Sequence, residues 1–373
     1  MTNALFAWLR RPALWLALGV VAALVVVMAR FLPPGPDFQF THRPVALRFI
    51  RGETQLFDGP SIGFYNAPWS LAVIAPLTLF SEAVGQAVLN TVSLLGMVLA
   101  IHALREPVRL PAVFVLLALA NLHTVDLLLR GNVDALMLAG VGLCWMGFER
   151  RNPWLLAPGL WLMSIKPVNV ALAGLLFLFA MRSWPWRDWL KALSLLLVSF
   201  AASLVLNGPD WPVRYFVSLR QSPPYTFLLA TVWRGAEALH VPAALVAVLC
   251  GLAVGGWGYA VWRLGLTQLT LHLALATNLV VSPYSLGYHY ILLIPAFLYV
   301  ARRSWPLALL AYAATWTPLI RLRYGFDVTW IDVIYPLLLL AALWWVGWKD
   351  GVFYYHYGTK PGDNIPNLEG NND

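Results

Sequence analysis

The chain has 373 residues, 60% of them hydrophobic and 11% charged, with 19 tryptophans and a mean hydropathy of +0.70. Apolar runs recur along its length, and a bilayer core takes about 20 apolar residues per helix, fewer where helices are broken or buried in protein. This excludes a soluble fold and predicts an all-α polytopic membrane protein. A net charge of +8 would point to nucleic acid in a soluble protein. Here the basic residues mostly flank apolar runs, so no nucleic-acid partner is expected and the surroundings are membrane lipids.

Taken in chain order, spans are predicted at 12–32, 84–104, 110–126, 132–148, 154–166, 167–182, 190–206, 241–263, 266–281, 285–300, 304–320 and 330–348, about twelve in all. The first has Arg10 and Arg11 ahead of it, like a signal peptide. Its apolar run is longer than a usual signal core and lacks a small-residue cleavage site, so it reads as a retained first helix. With a cytoplasmic N-terminus, short links containing Arg105, Arg150, Arg151, Arg182, Lys191, Arg302 and Arg303 fall inside. The short links thus nearly all obey the positive-inside rule, while Arg130, Lys166 and other basic residues fall on or near the outer side. The C-terminus is then cytoplasmic too. Residues 1–349 form one transmembrane domain, and 350–373 form a polar tail whose end, 360–373, is expected to be disordered.

That topology puts two long segments outside, 33–83 and 207–240. The stretch APWSLAVIAPLTLF (67–80) is short and bounded by prolines, so it reads as a re-entrant or surface-lying helix rather than a span. Cys144 and Cys250 lie within predicted spans, which indicates neither a disulfide nor a metal site. The histidines show no metal-ligand spacing, and no cofactor is expected. There is no HExxH, no phosphate-cradling glycine loop and no GxSxG, so soluble nucleotide chemistry finds no support.

Lys166 stands out. It interrupts an apolar stretch in a charge-poor chain, where a lysine at mid-bilayer costs about 2.5–3.5 kcal/mol. Pro167 disfavours helix at the preceding residue, so the stretch reads as two short segments meeting at Lys166 near one membrane face. Arg130 lies at another predicted helix end. Asp126 and Asp134 are each four residues from it, and either could pair with it if the segment is helical. Asp37 follows the first span in FLPPGPDFQF (31–40), where prolines and a glycine suggest an extended turn near the membrane. A carboxylate held there beside basic groups suits a general base. An ordinary loop or capping aspartate is the plainer alternative. His289 opens a span at the outer face, where a hydrogen-bonded packing role competes with a functional one.

These motifs occur in a suggestive order. Gly35-Pro36-Asp37 is followed by Gly63-Phe64-Tyr65-Asn66-Ala67-Pro68-Trp69, Gly131-Asn132-Val133-Asp134, Lys166-Pro167, and Ser282-Pro283-Tyr284 with His289-Tyr290. In this order the chain resembles glycosyltransferase family 87, the polyprenol-phosphate-mannose-dependent α-mannosyltransferases and relatives of the GT-C superfamily, over about residues 30–320. The resemblance implies a GT-C type bundle and inverting transfer of a hexose, mannose in the family, from a polyprenyl-phosphate-linked donor. The acceptor would be a lipid or glycan hydroxyl at the extracytoplasmic face. It further implies Asp37 as the base, Lys166 with Arg130 at the donor phosphate, and Tyr65, Asn66, Asn132, Asp134, His289 and Tyr290 as substrate contacts. The chain departs from the family where Gly131-Asn132-Val133-Asp134 stands for Gly-Gln-x-Asn, replacing an amide by an acid, and where Ala67-Pro68 replaces a Pro-Pro pair. The first change bears on the choice of sugar or acceptor, and so on mannose in particular. Two other readings remain. A transporter or flippase of a lipid-linked or anionic solute would use the basic cavity without a base, and an inactive scaffold of an envelope-glycan pathway would use neither.

Overall fold

The computed structural model describes residues 12–53, 56–57, 64–106, 110–221 and 228–353. Arg10, Arg11, Gly63 and the tail expectation at 360–373 lie outside them. Among the described residues there is helix and no strand, beyond one bridge between Leu229 and Leu286. The helices are α1 (Pro12–Phe31), α2 (Arg43–Ile50), α3 (Glu82–Ala103), α4 (Ala112–Leu119), α5 (Leu122–Arg130), α6 (Asp134–Glu149), α7 (Pro153–Met163) and α8 (Ala171–Ala180). They continue as α9 (Trp186–Asn207), α10 (Trp211–Gln221), α11 (Val232–Ala238), α12 (Ala243–Leu264), α13 (Gln268–Val281), α14 (Ile294–Arg303), α15 (Trp305–Ala314) and α16 (Ile334–Lys349). Turns of four residues or fewer, and 3₁₀ and π turns, link them.

By length and composition, four described helical stretches suffice to cross a bilayer: α3, α9, α12 and Val328–Lys349. A fifth is the pair α4 and α5, bent by 44° at Ala120-Asn121. Ala120 closes the first helix and Asn121 caps the next, its side chain accepting from the Thr124 amide, which splits the span predicted at 110–126. α9 and α12 carry exposed Val198, Val205, Leu252 and Trp262. So much apolar surface on whole helix faces fits contact with lipid, and the fold is that of a membrane-embedded, all-α chain.

At the centre lies α13, buried from Leu269 to Val280. Its Leu271 and Leu275 join Ile291, Phe297, Leu339 and Phe177 in the larger apolar core. A second core, with Phe38, Val45, Leu71, Ile74, Leu89, Leu136 and Ile165, underlies the segment after α1. The 67–80 stretch is a broken chain of short turns. The amide of Ala67 donates to the Ile165 carbonyl, while Leu77 at its other end packs on Gly85 at the start of α3. Both ends therefore meet groups around the candidate site.

Candidate functional site

Asp37 is positioned by a clamp on the residues before it. The Gln86 side chain accepts from the Gly35 amide at 2.7 Å and donates to the Pro33 carbonyl at 3.3 Å. Gly35 lies so close to α5 that a Cβ there would stand 2.4 Å from the Arg130 carbonyl oxygen, so only glycine fits. Contrary to the extended turn expected, helical geometry begins at Pro36, where proline's fixed φ suits a first helical position. Phe38–His42 then winds as a π-helical turn, closed by the Arg43 amide on the Phe38 carbonyl. π turns are rare and frequently mark functional sites. Here the turn places His42 one turn beyond Asp37, where α-helical winding would leave it about 140° round the axis. His42 is buried, and neither ring nitrogen has a hydrogen-bond partner among the described residues.

Gly131 ends α5 in the left-handed region at φ +68°, the conformation glycine supplies at a helix C-terminus. The reversal sends Asn132 toward Asp37, and its side-chain amide donates to Asp37 Oδ2 at 2.7 Å. Asp37 Oδ1 lies 3.9 Å from the Arg130 guanidinium, too far for a hydrogen bond. Arg130 instead pairs with Asp126 at 2.9 Å, one helical turn back. The alternative pairing, Arg130 with Asp134, does not form because Gly131 separates the two residues onto different helices.

Asp134 opens α6 and turns to Lys166, at 3.2 Å from Oδ1. As expected, the helix breaks at Lys166: α7 ends at Met163, Pro167 starts a 3₁₀ turn, and α8 starts at Ala171. Asn278 of α13 satisfies the backbone freed by the break, accepting from the Leu172 amide at 3.1 Å and donating to the Val168 carbonyl at 2.9 Å. Unpaired backbone in a membrane protein would otherwise be costly.

His289 Nε2 stands 3.1 Å from Lys166 Nζ and 3.2 Å from Asp134 Oδ2. Its Nδ1 accepts from the Leu286 amide at 3.1 Å, so the ring is neutral with its proton on Nε2. The Tyr288 ring carries Arg130 at 5.2 Å and Lys166 at 5.5 Å from its centroid. That aromatic face links the Asp37–Arg130 half of the site to the Asp134–Lys166–His289 half. Tyr284 lies edge-on to His289, and Tyr65 lies 6.3 Å beyond Tyr284. Asn66 is buried beside Ala67, next to the Lys166 break. Asp37, Arg130, Asn132, Asp134, Lys166, His289 and Tyr65 thus come together.

Tyr290 does not join them. Its hydroxyl donates to the Ala230 carbonyl and its ring packs on His123 and Tyr335. The segment Gly287–Leu293 is a 3₁₀ turn rather than the α-helix expected over 285–300. At three residues per turn, residues 288, 289 and 290 point in three directions. Tyr288, not Tyr290, faces the cations. Sequence reasoning missed Tyr288 and the Gln86 clamp, and left open which of Asp126 and Asp134 pairs with Arg130. The tyrosine was visible beside His289, but its direction depends on a 3₁₀ winding that no residue pattern announces.

Access differs within the cluster. The Asp37 side chain is 11% exposed and that of Arg130 17%, whereas Asp134 and His289 are fully buried. Beside the Lys166 break, Ala67, Trp69, Pro167, Phe200, Trp211 and Phe216 line an apolar groove of about 420 Å³. Among the described residues no group of three metal-ligand-type side chains converges. The chain matches no family model, no curated protein and no solved structure.

Proposed function

We propose that this protein is a GT-C type membrane glycosyltransferase that moves a hexose from a polyprenyl-phosphate donor to a lipid or glycan hydroxyl at the extracytoplasmic face. On this reading the shorter apolar helices also span the bilayer, about twelve passes in all, and the order of motifs resembles glycosyltransferase family 87. The observation that carries the proposal is the Asp37 carboxylate. One oxygen is fixed by Asn132, and the other remains without a hydrogen bond in a partly open site beside Arg130, which shares the Tyr288 ring with Lys166. A base needs a carboxylate oxygen within about 3 Å of the acceptor hydroxyl, directly or through one water. The leaving phosphate needs fixed cations in a dry cavity, which Lys166 and Arg130 supply. The apolar groove at Pro167 suits the prenyl chain of a donor whose phosphate lies at Lys166. His289, with both ring nitrogens facing protein atoms, acts by holding this arrangement.

Inversion follows if the hydroxyl attacks opposite the phosphate, with its proton passing to Asp37. Incubating the purified chain with radiolabelled polyprenyl-phosphate hexoses and a membrane-lipid extract tests this. Transfer is expected, and Asp37→Asn is expected to abolish it while expression and melting behaviour are retained. Full turnover by Asp37→Asn removes the base. Translocation of the donor without transfer favours a flippase, which would use the same cations.

A further inference from the structure

The cation placed for a ligand phosphate is already held by an internal anion. Lys166 Nζ sits 3.2 Å from Asp134 Oδ1, in a pair whose side chains are 5% and 0% exposed. Counting the ionised groups, three carboxylates (Asp37, Asp126, Asp134) face two cations (Arg130, Lys166), and His289 is neutral because its Nδ1 accepts from the Leu286 amide. A phosphodiester entering this site would raise an existing negative excess in a poorly screened interior.

The geometry supplies a way to relieve it. Asp134 Oδ2 has no hydrogen bond, although His289 Nε2 is 3.2 Å away. The Nε2–H also lies 3.1 Å from the Lys166 ammonium, so two donors crowd each other there. If Lys166 turns to a ligand phosphate, Nε2–H is free to donate to Oδ2, and Oδ1 is left bare. A single proton from solvent on Oδ1 then restores the charge balance.

The geometry points to Asp134 as a resident anion on Lys166, one that yields the cation to an incoming phosphodiester by taking up a proton. This rests on the phosphate-binding reading given above and adds to it a proton linkage and a reason for an acid at position 134. The groups facing Asp134 are Lys166 from the α7–α8 break, His289, Tyr288 and Tyr284 from the loop after α13, and Asp37 from the outer segment. The tyrosines and His289 stay neutral, and Asp37 keeps its Asn132 donor and Arg130 beside it while Asp134 loses Lys166, so Asp134 is the group that exchanges the proton.

Geranyl methyl phosphate is a suitable probe, because a phosphodiester keeps one negative charge across the working range and does not itself titrate. Its binding to the detergent-solubilised full chain is measured calorimetrically between about pH 6 and pH 8, in two buffers of different ionisation enthalpy. Uptake of about one proton is expected, with affinity falling about tenfold per pH unit as pH rises. Asp134→Asn, nearly isosteric, should bind more tightly than the wild type and lose the pH dependence. A carboxylate that merely braces the fold would instead weaken binding when replaced.

Binding by the wild type without proton uptake overturns the inference and leaves the phosphate site standing. The Lys166→Met/Asp134→Asn double variant separates the other failure. If the probe binds it as well as it binds the Asp134→Asn variant, Lys166 does not hold phosphate, and both the inference and the donor-site reading fall.

Discussion

Lys166 and Asp134 neutralise one another away from solvent, so each depends on the other for its charge. Removing one partner of such a pair strands a buried charge, at a typical cost of about 3–5 kcal/mol. Lys166→Met should therefore lower the melting temperature sharply, and adding Asp134→Asn should recover most of the loss, a coupling that a double-mutant cycle measures. Additive effects would mean that the two side chains do not pair. His42 gives a second test at this scale. Burial, and then the nearby Lys166 charge, push its imidazole down from 6.5 to about 3. Between those values the unfolded chain binds the proton and the folded chain does not, so stability falls as pH drops below 6.5. From pH 6.5 to pH 5 the loss is on the order of 2 kcal/mol. His42→Phe should remove that part of the acid sensitivity in melting curves run at the two pH values; an unchanged difference between them would show that His42 is protonated when folded.

The site is built at the ends of elements, and its precision comes from close backbone approach. Gly35 rests on the last turn of α5 and Gly131 on Phe38, where added Cβ atoms would come within 2.4 Å and 2.8 Å of neighbouring atoms. Gly35→Ala must push the Asp37 segment away from Arg130 and Asn132, and displacement of a reacting group by about 1 Å can cost about a hundredfold in rate. Transfer should fall by that order with the Lys166 half of the site intact, so phosphodiester binding should persist; equal loss of both would mean a general unfolding. The same elements show what could be read in advance. The break at Lys166-Pro167 was legible because proline restricts its predecessor, and the resemblance brought Asp37, Asn132, Asp134, Lys166 and His289 to one place. The π turn after Asp37 and the 3₁₀ turn at Gly287–Leu293 were not legible, since both windings answer to packing around Phe38 and Tyr288 rather than to local propensity. Nor was the choice of Arg130 for Asp126 over Asp134, which a single left-handed glycine decides.

Across the whole molecule, polar groups gather at two levels. Gln86, clamping the Asp37 loop, sits near the start of α3, whose 22 residues span about 33 Å at 1.5 Å per residue. Beyond its other end Glu106 receives two hydrogen bonds from Arg303, at 2.7 and 2.8 Å, and Arg303 also reaches Asp350 at 3.0 Å. That separation is close to a hydrocarbon core of about 30 Å, so the candidate site and the arginine clamp should face opposite compartments. Arg51, exposed just after α2, and Lys349, exposed at the end of α16, report the two levels. In a Cys250→Ala background, with Cys144 left in place because it is buried, Arg51→Cys should react with an impermeant maleimide in intact cells. Lys349→Cys should react only after the membrane is opened. Labelling of both from the same side would put the two polar levels in one compartment, and reaction of Arg51→Cys only after the membrane is opened would end the extracytoplasmic placement of Asp37.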